Sequence, residues 1–148
     1  MRARHQARIV ALQALYEIDC IHHAPAVVLE QRIAANRLPE EVAAFSGHLV
    51  HGVLRYQSVL DVFIHRYAPE WPMAQMAYID RNILRMAIFE FAIDGQTPVK
   101  VAINEAVELA KTFGSDSAPR FINGVLGTLV EHTQAIAQAV ADADREAQ

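Results

Sequence analysis

The chain has 148 residues, 53% of them hydrophobic and 20% charged, with a formal net charge of −4. That length carries one domain, or two small subdomains sharing a core, and the acidic balance argues against a protein that coats nucleic acid without regard to sequence. The single Cys20 excludes an internal disulfide, no apolar run approaches the roughly 20 residues of a membrane span, and the basic N-terminus lacks a signal-peptide core, so a cytoplasmic protein is expected.

Few glycines and prolines, with Ala, Leu, Ile and Val at helical spacing, predict an all-α fold. The first helix is expected over about residues 3 to 20, with Ile9, Leu12, Leu15 and Tyr16 on its buried stripe. Arg4 and Arg8 stand one turn apart beside that stripe. They read either as solvated arginines at a helix start or as a pair placed for phosphate and base contact. Charge is uneven: Arg2, Arg4 and Arg8 precede the first acid, Glu17, whereas Glu131, Asp142, Asp144 and Glu146 make the C-terminus acidic.

A loop at residues 21 to 25 leads to a short helix from about Ala26 to Asn36. Pro39, Glu40 and Glu41 then open a third helix, with proline and acids where a helix start favours them. Its apolar pattern runs from Val42 through Phe45, Leu49, Val53, Leu60 and Ile64 to Tyr67. One long helix and two helices joined near residues 55 to 58 both fit. Pro69 and Pro72 break the chain around Trp71, the expected boundary between two packed halves. The next helix spans about Ile79 to Ile93, with Asp80 in its first turn and Glu90 near its apolar face as a buried, hydrogen-bonded carboxylate.

Asp94-Gly95 turns the chain into a helical hairpin. Thr97 is the expected N-cap, Pro98 the first helical residue, and Gly114 a left-handed stop. Ser115, Asp116 and Ser117 offer capping oxygens to a last core helix that buries Ile122, Val125, Leu126 and Leu129. Beyond about Val130 the Ala-, Gln- and Asp-rich tail is expected to fray.

No catalytic constellation emerges. Gly124 and Gly127 lie inside a helix rather than in a phosphate-binding loop, and no Ser, Cys or His is spaced with a base and an orienting group. Neither His22 with His23 nor His48 with His51 has the Cys or carboxylate partners of a metal site. A binding protein without catalytic residues, cofactor or metal is the expectation.

The string VAINEAVELAKTFG followed by PRFINGVLG resembles the C-terminal signature of the NusB family of bacterial transcription antitermination factors. ARHQARIVALQALYEID is similar to that family's first helix and IDRNILRMAIFE to its middle helix, while residues 21 to 50 and the tail match poorly. The resemblance implies a bundle of about seven helices in two subdomains, about residues 1–70 and 71–135, with 136–148 as the frayed tail. It also implies a partner, the ribosomal protein NusE, and a target, the boxA element of nascent ribosomal RNA, within an RNA polymerase antitermination complex.

Carried over by position, the RNA-facing residues are Arg2, Arg4, Arg8, Ser117, Arg120 and Phe121. Phe121 reads equally as a core aromatic or as a stacking platform. Partner contact falls to Tyr16 and Asp80, with Arg81 and Arg85 nearby. His5 and Gln6 stand where family members often carry basic residues, and Ser117 where an acid can occur. Two other readings stay open: a helical protein–protein adaptor, and an RNA-recognition module related to the N-terminal domains of ribosomal RNA methyltransferases. A homodimer through the basic helix face is left open as well.

Overall fold

A helix that is apolar on every side has to sit at the centre of its fold, and residues 82 to 92 meet that description. In the computed structural model, which describes residues 2–148 apart from the Arg2 side chain, every residue from Asn82 to Ala92 is buried. They belong to α4 (Tyr78–Ile88) and the π-helical segment that continues it (Phe89–Asp94). Around this axis pack α1 (Arg2–Ile21), α3 (Glu40–Tyr67), α5 (Val99–Phe113), α6 (Ala118–Leu129) and α7 (Thr133–Glu146), while α2 (Pro25–Ala35) covers α1 and α3. Leu12, Leu15, Leu49, Leu60, Ile64, Ile83, Leu84, Ile88, Ile122, Leu126 and Leu129 fill one continuous core. The described residues contain no strand, and no helix among them is long and apolar enough to cross a membrane. No group of three or more His, Cys, Asp or Glu gathers among them as a metal site would require.

The ambiguity in the third helix resolves into a kink. α3 is continuous from Glu40 to Tyr67, but Tyr56 departs from helical geometry at φ −107°, ψ 16°. The central helix widens into its π turn where Gly95 donates its N–H to the Glu90 carbonyl at 3.1 Å. Gly95 itself, at φ 70°, takes the left-handed conformation that glycine adopts without cost.

The hairpin's ends differ from expectation. Thr97 is not a cap: α5 starts at Val99 after Pro98, and the Thr97 hydroxyl donates to the buried Glu90 carboxylate at 2.8 Å. Gly114 is extended (φ −94°, ψ −179°) rather than left-handed. Glycine is needed there for space, because a Cβ would lie 2.6 Å from the Ala118 Cβ and 2.9 Å from the Ala110 carbonyl oxygen. Ser117 occupies the N-cap of α6 without a side-chain capping bond. The stretch expected to fray is a docked helix: α7 buries Ile136 and Val140, and Asp144 accepts hydrogen bonds from Arg55 at 3.2 Å and the Tyr56 hydroxyl at 3.1 Å. Alanine favours helix, and one isoleucine and one valine a turn apart suffice to seat it.

Two glycines make opposite predictions. A Cβ at Gly52 would fall 2.1 Å from the Phe89 ring, so Gly52→Ala should destabilise the fold by about 1–3 kcal/mol through overpacking. At Gly124 nothing lies within 4 Å of an added Cβ, and Gly124→Ala should gain up to about 1 kcal/mol of helix propensity. Thermal unfolding of the two variants should move in opposite directions.

Candidate functional site

The arginines of α1 divide into two kinds. Arg4 is exposed, and its guanidinium lies 4.3 Å from the centre of the Phe45 ring, a cation–π contact that leaves its N–H groups free to reach outward. Arg8, one turn on, is only 3% exposed. It forks onto Glu90, Nε to Oε2 at 2.9 Å and Nη2 to Oε1 at 2.7 Å, and Nη1 reaches Glu105 at 3.1 Å. Burial on its own would lower the Arg8 proton affinity, but the Glu90 and Glu105 carboxylates outweigh it and hold the guanidinium above its usual range. Arg8 therefore faces the core, not an RNA, which corrects the position-by-position expectation. The Arg2 side chain lies outside the described residues.

At the other end of α4 a second ionic network leaves a different surface. Asp19 receives Arg81 in a fork, 2.7 Å to each oxygen, and Asn82 at 2.9 Å. Burial opposes ionisation of Asp19, but the hydrogen bonds from Arg81 and Asn82 prevail and lower its pKa. Arg85 forks onto Asp61 at 2.8 Å per bond and is 3% exposed, so it does not reach a partner, contrary to expectation. Arg81 is mostly covered, with its guanidinium 4.3 Å from the Tyr78 ring centre. Tyr16, 37% exposed, meets Tyr78 edge to face at 6.4 Å. What this end offers outward is an aromatic plate, Tyr16 and Tyr78, backed by Arg81.

Beside the plate opens a cavity of about 460 Å³ between the start of α4 and the start of α6, lined by Trp71, Met76, Asp80, Ser117, Arg120 and Phe121 among others. The Trp71 ring, 56% exposed, stands 5.3 Å from that of Phe121. Phe121 is half-buried, packing on the core with one side and lining the cavity with the other. Asp80 is the unusual group: its Oδ1 is buried without a hydrogen-bond partner, and that burial raises its pKa. The structure thus brings Ser117, Arg120, Phe121 and Asp80 together. It keeps Arg4 apart, since Glu90 beside Arg8 and Asp80 in the cavity are separated by ten residues of helix, about 15 Å. Trp71, Tyr78 and Phe45 escaped the sequence reading as site residues. Trp71 between two prolines was the one legible signal, an aromatic placed where no helix could bury it.

The family model for NusB matches residues 5–131. The chain belongs to the NusB family. It is 50% identical over 129 residues to the transcription antitermination protein NusB of Chloroflexus aggregans, covering 86% of both chains. It is 49% identical to that of Roseiflexus sp. strain RS-1, covering 86% of this chain and 91% of the relative. T. maritima NusB has the same fold at a TM-score of 0.78 and 26% identity, covering 91% of this chain and 90% of that one. A chain in the crystal structure of the antitermination factors NusB and NusE in complex with dsRNA matches at a TM-score of 0.79 and 24% identity over 94% and 98% of the two chains, a likeness of fold. The NusB family is one of transcription antitermination factors, not of enzymes.

The charges of this NusB-family site make two predictions. Arg8→Met strands Glu90 in the core and should cost about 3–5 kcal/mol. Adding Glu90→Gln should recover much of that loss in urea unfolding, because the amide still accepts from Thr97 without a charge to desolvate. Asp80 works the other way: with its folded pKa raised, the ionised form above that pKa weakens the fold. Asp80→Asn should therefore raise the melting temperature at pH 7. The gain should vanish below about pH 4, where native Asp80 is itself protonated.

Proposed function

We propose that the protein is an RNA-binding antitermination factor that pairs with the ribosomal protein NusE and recognises boxA-type RNA of ribosomal RNA transcripts as part of an RNA polymerase antitermination complex. The observation carrying this reading is the family match across residues 5–131. The surface chemistry supports it. Arg4 holds a guanidinium outward on an aromatic ring, suited to a phosphate. Trp71 and Phe121, in edge-to-face contact, line one cavity and give it aromatic surface suited to an unpaired base, with Arg120 in the lining for its phosphate. Tyr16 and Tyr78, backed by Arg81, make an amphipathic surface suited to a ribosomal protein, the two rings serving as affinity anchors; Asp80, expected at this contact, lines the neighbouring cavity.

One observation favours the adaptor reading: Arg8 is structural, which removes one of the expected RNA-facing arginines. Fluorescence anisotropy of labelled boxA-type RNA separates the two. Binding should prefer boxA over a scrambled sequence, tighten with NusE and weaken with salt. Phe121→Ala should cost about 1–3 kcal/mol of RNA affinity, and Arg4→Glu about tenfold, with NusE binding unchanged in both. NusE binding without any RNA affinity would leave the adaptor reading in its place.

A further inference from the structure

The two RNA-suited clusters lie at opposite ends of the bundle, and α3 runs between them. It begins beside Arg4, where Phe45 takes the cation–π contact and Ser46 donates to the Ala7 carbonyl at 2.7 Å. It ends at Tyr67, four residues before Trp71. Its exposed residues from Ala44 onward recur every three or four positions, His48, His51, Arg55, Ser58, Val62 and His65, with Arg66 beside the last. Every ionisable group on that stripe is a histidine or an arginine. The one acid between Val42 and Tyr67 is Asp61, and it is engaged by Arg85. Along its first half the stripe borders a groove of about 360 Å³, walled on the far side by Phe89 and Ile93 of the π-helical segment.

We infer that the solvent-facing stripe of α3 carries the RNA phosphate backbone from the Arg4 end of the bundle to the Trp71–Phe121 cavity. This rests on the RNA-binding reading and extends it to a surface that reading does not use. From Phe45 to Arg66 the helix covers about 32 Å, a path for several nucleotides. The donors suit phosphate: Arg55 and Arg66 are charged, and His51 and His65 each bear at least one N–H, while His48 Nε2 is engaged by Asp94. Neither phenylalanine beside the stripe is free to stack a base. Phe45 lies under Arg4, and Phe63 is buried below Arg66, whose guanidinium is 5.0 Å from its ring.

Carboxylates mark the edges of this track. Asp94 bonds His48 Nε2 at 2.9 Å and is itself mostly covered. Asp144 of α7 bonds Arg55 at 3.2 Å and accepts the Tyr56 hydroxyl. RNA on the stripe must compete with Asp144 for Arg55, so the acidic end of α7 weakens the track it borders.

The test is salt-dependent anisotropy with the full chain and NusE, using a boxA-type RNA long enough to span the stripe. Arg55→Gln combined with Arg66→Gln should lower affinity about tenfold at low salt. The slope of log K against log salt should flatten by about 1.4, because two single-strand phosphates are no longer neutralised. Asp144→Asn should tighten binding at least twofold, a direction that damage to the fold does not produce. Millimolar inorganic phosphate or AMP should not displace the RNA. An unchanged slope in the double variant, with RNA otherwise bound by the native protein, overturns the inference and leaves the RNA-binding reading standing. So does a site saturated by phosphate or AMP, or weaker binding by Asp144→Asn. Absence of RNA binding by the native protein removes both.

Discussion

The fold depends on one buried ion pair. Arg8 and Glu90 are each at most 3% exposed and meet through two parallel hydrogen bonds. Charges removed from water this far are tolerated only when their hydrogen-bonding capacity is used, and here it is. Glu90 also receives the Thr97 hydroxyl, and Arg8 spends a further nitrogen on Glu105. The Glu90 backbone takes part too, because its carbonyl accepts the Gly95 N–H that closes the π turn. One residue of the central helix thereby fixes α1, the loop before α5 and the widening of its own helix. A hydrophobic contact would hold the same elements together without dictating their register; a forked pair with three further partners does dictate it.

A second network does the corresponding work one helix length away, where Asp19, Arg81, Asn82, Arg85 and Asp61 join α1, α3 and α4. Between the two networks the central helix is apolar, from Ile83 to Phe89 except for Arg85. Polar bonding at both ends with plain packing between makes a scaffold in which the remaining exposed groups need play no part in stability. Arg4, Tyr16, Tyr78, Trp71 and Arg120 are such groups. They stand on elements already held in place, which lowers the ordering cost that binding would otherwise carry.

The helices were legible because their cause is local. Apolar spacing alone marks α1, α3, α4 and the hairpin, and even the α3 kink falls inside the interval where the pattern was undecided. Glu90 could be recognised as buried from its place on an apolar face. The roles of the arginines were not legible. Arg4 and Arg8 sit one turn apart on the same side of α1, and what separates them is Glu90, 82 residues away in the chain. Arg85 is likewise decided by Asp61 on another helix. Thr97 and Gly114 show the same limit in smaller form. Each carries the residue type its expected local role demands, yet a buried carboxylate claims the first and the closeness of Ala118 explains the second.

Asp80 is the exception to this economy of satisfied charges. Each buried carboxylate in the two networks has donors, whereas Asp80 keeps Oδ1 out of water with none. An unsatisfied buried acceptor is costly, and the cost persists for as long as the cavity holds no donor. That oxygen lies against the turn between α5 and α6, where a Cβ at Gly114 would come within 3.3 Å of it. The cost falls on the ionised carboxylate, which is why burial raises its pKa, and the fold carries it where the starts of α4 and α6 meet.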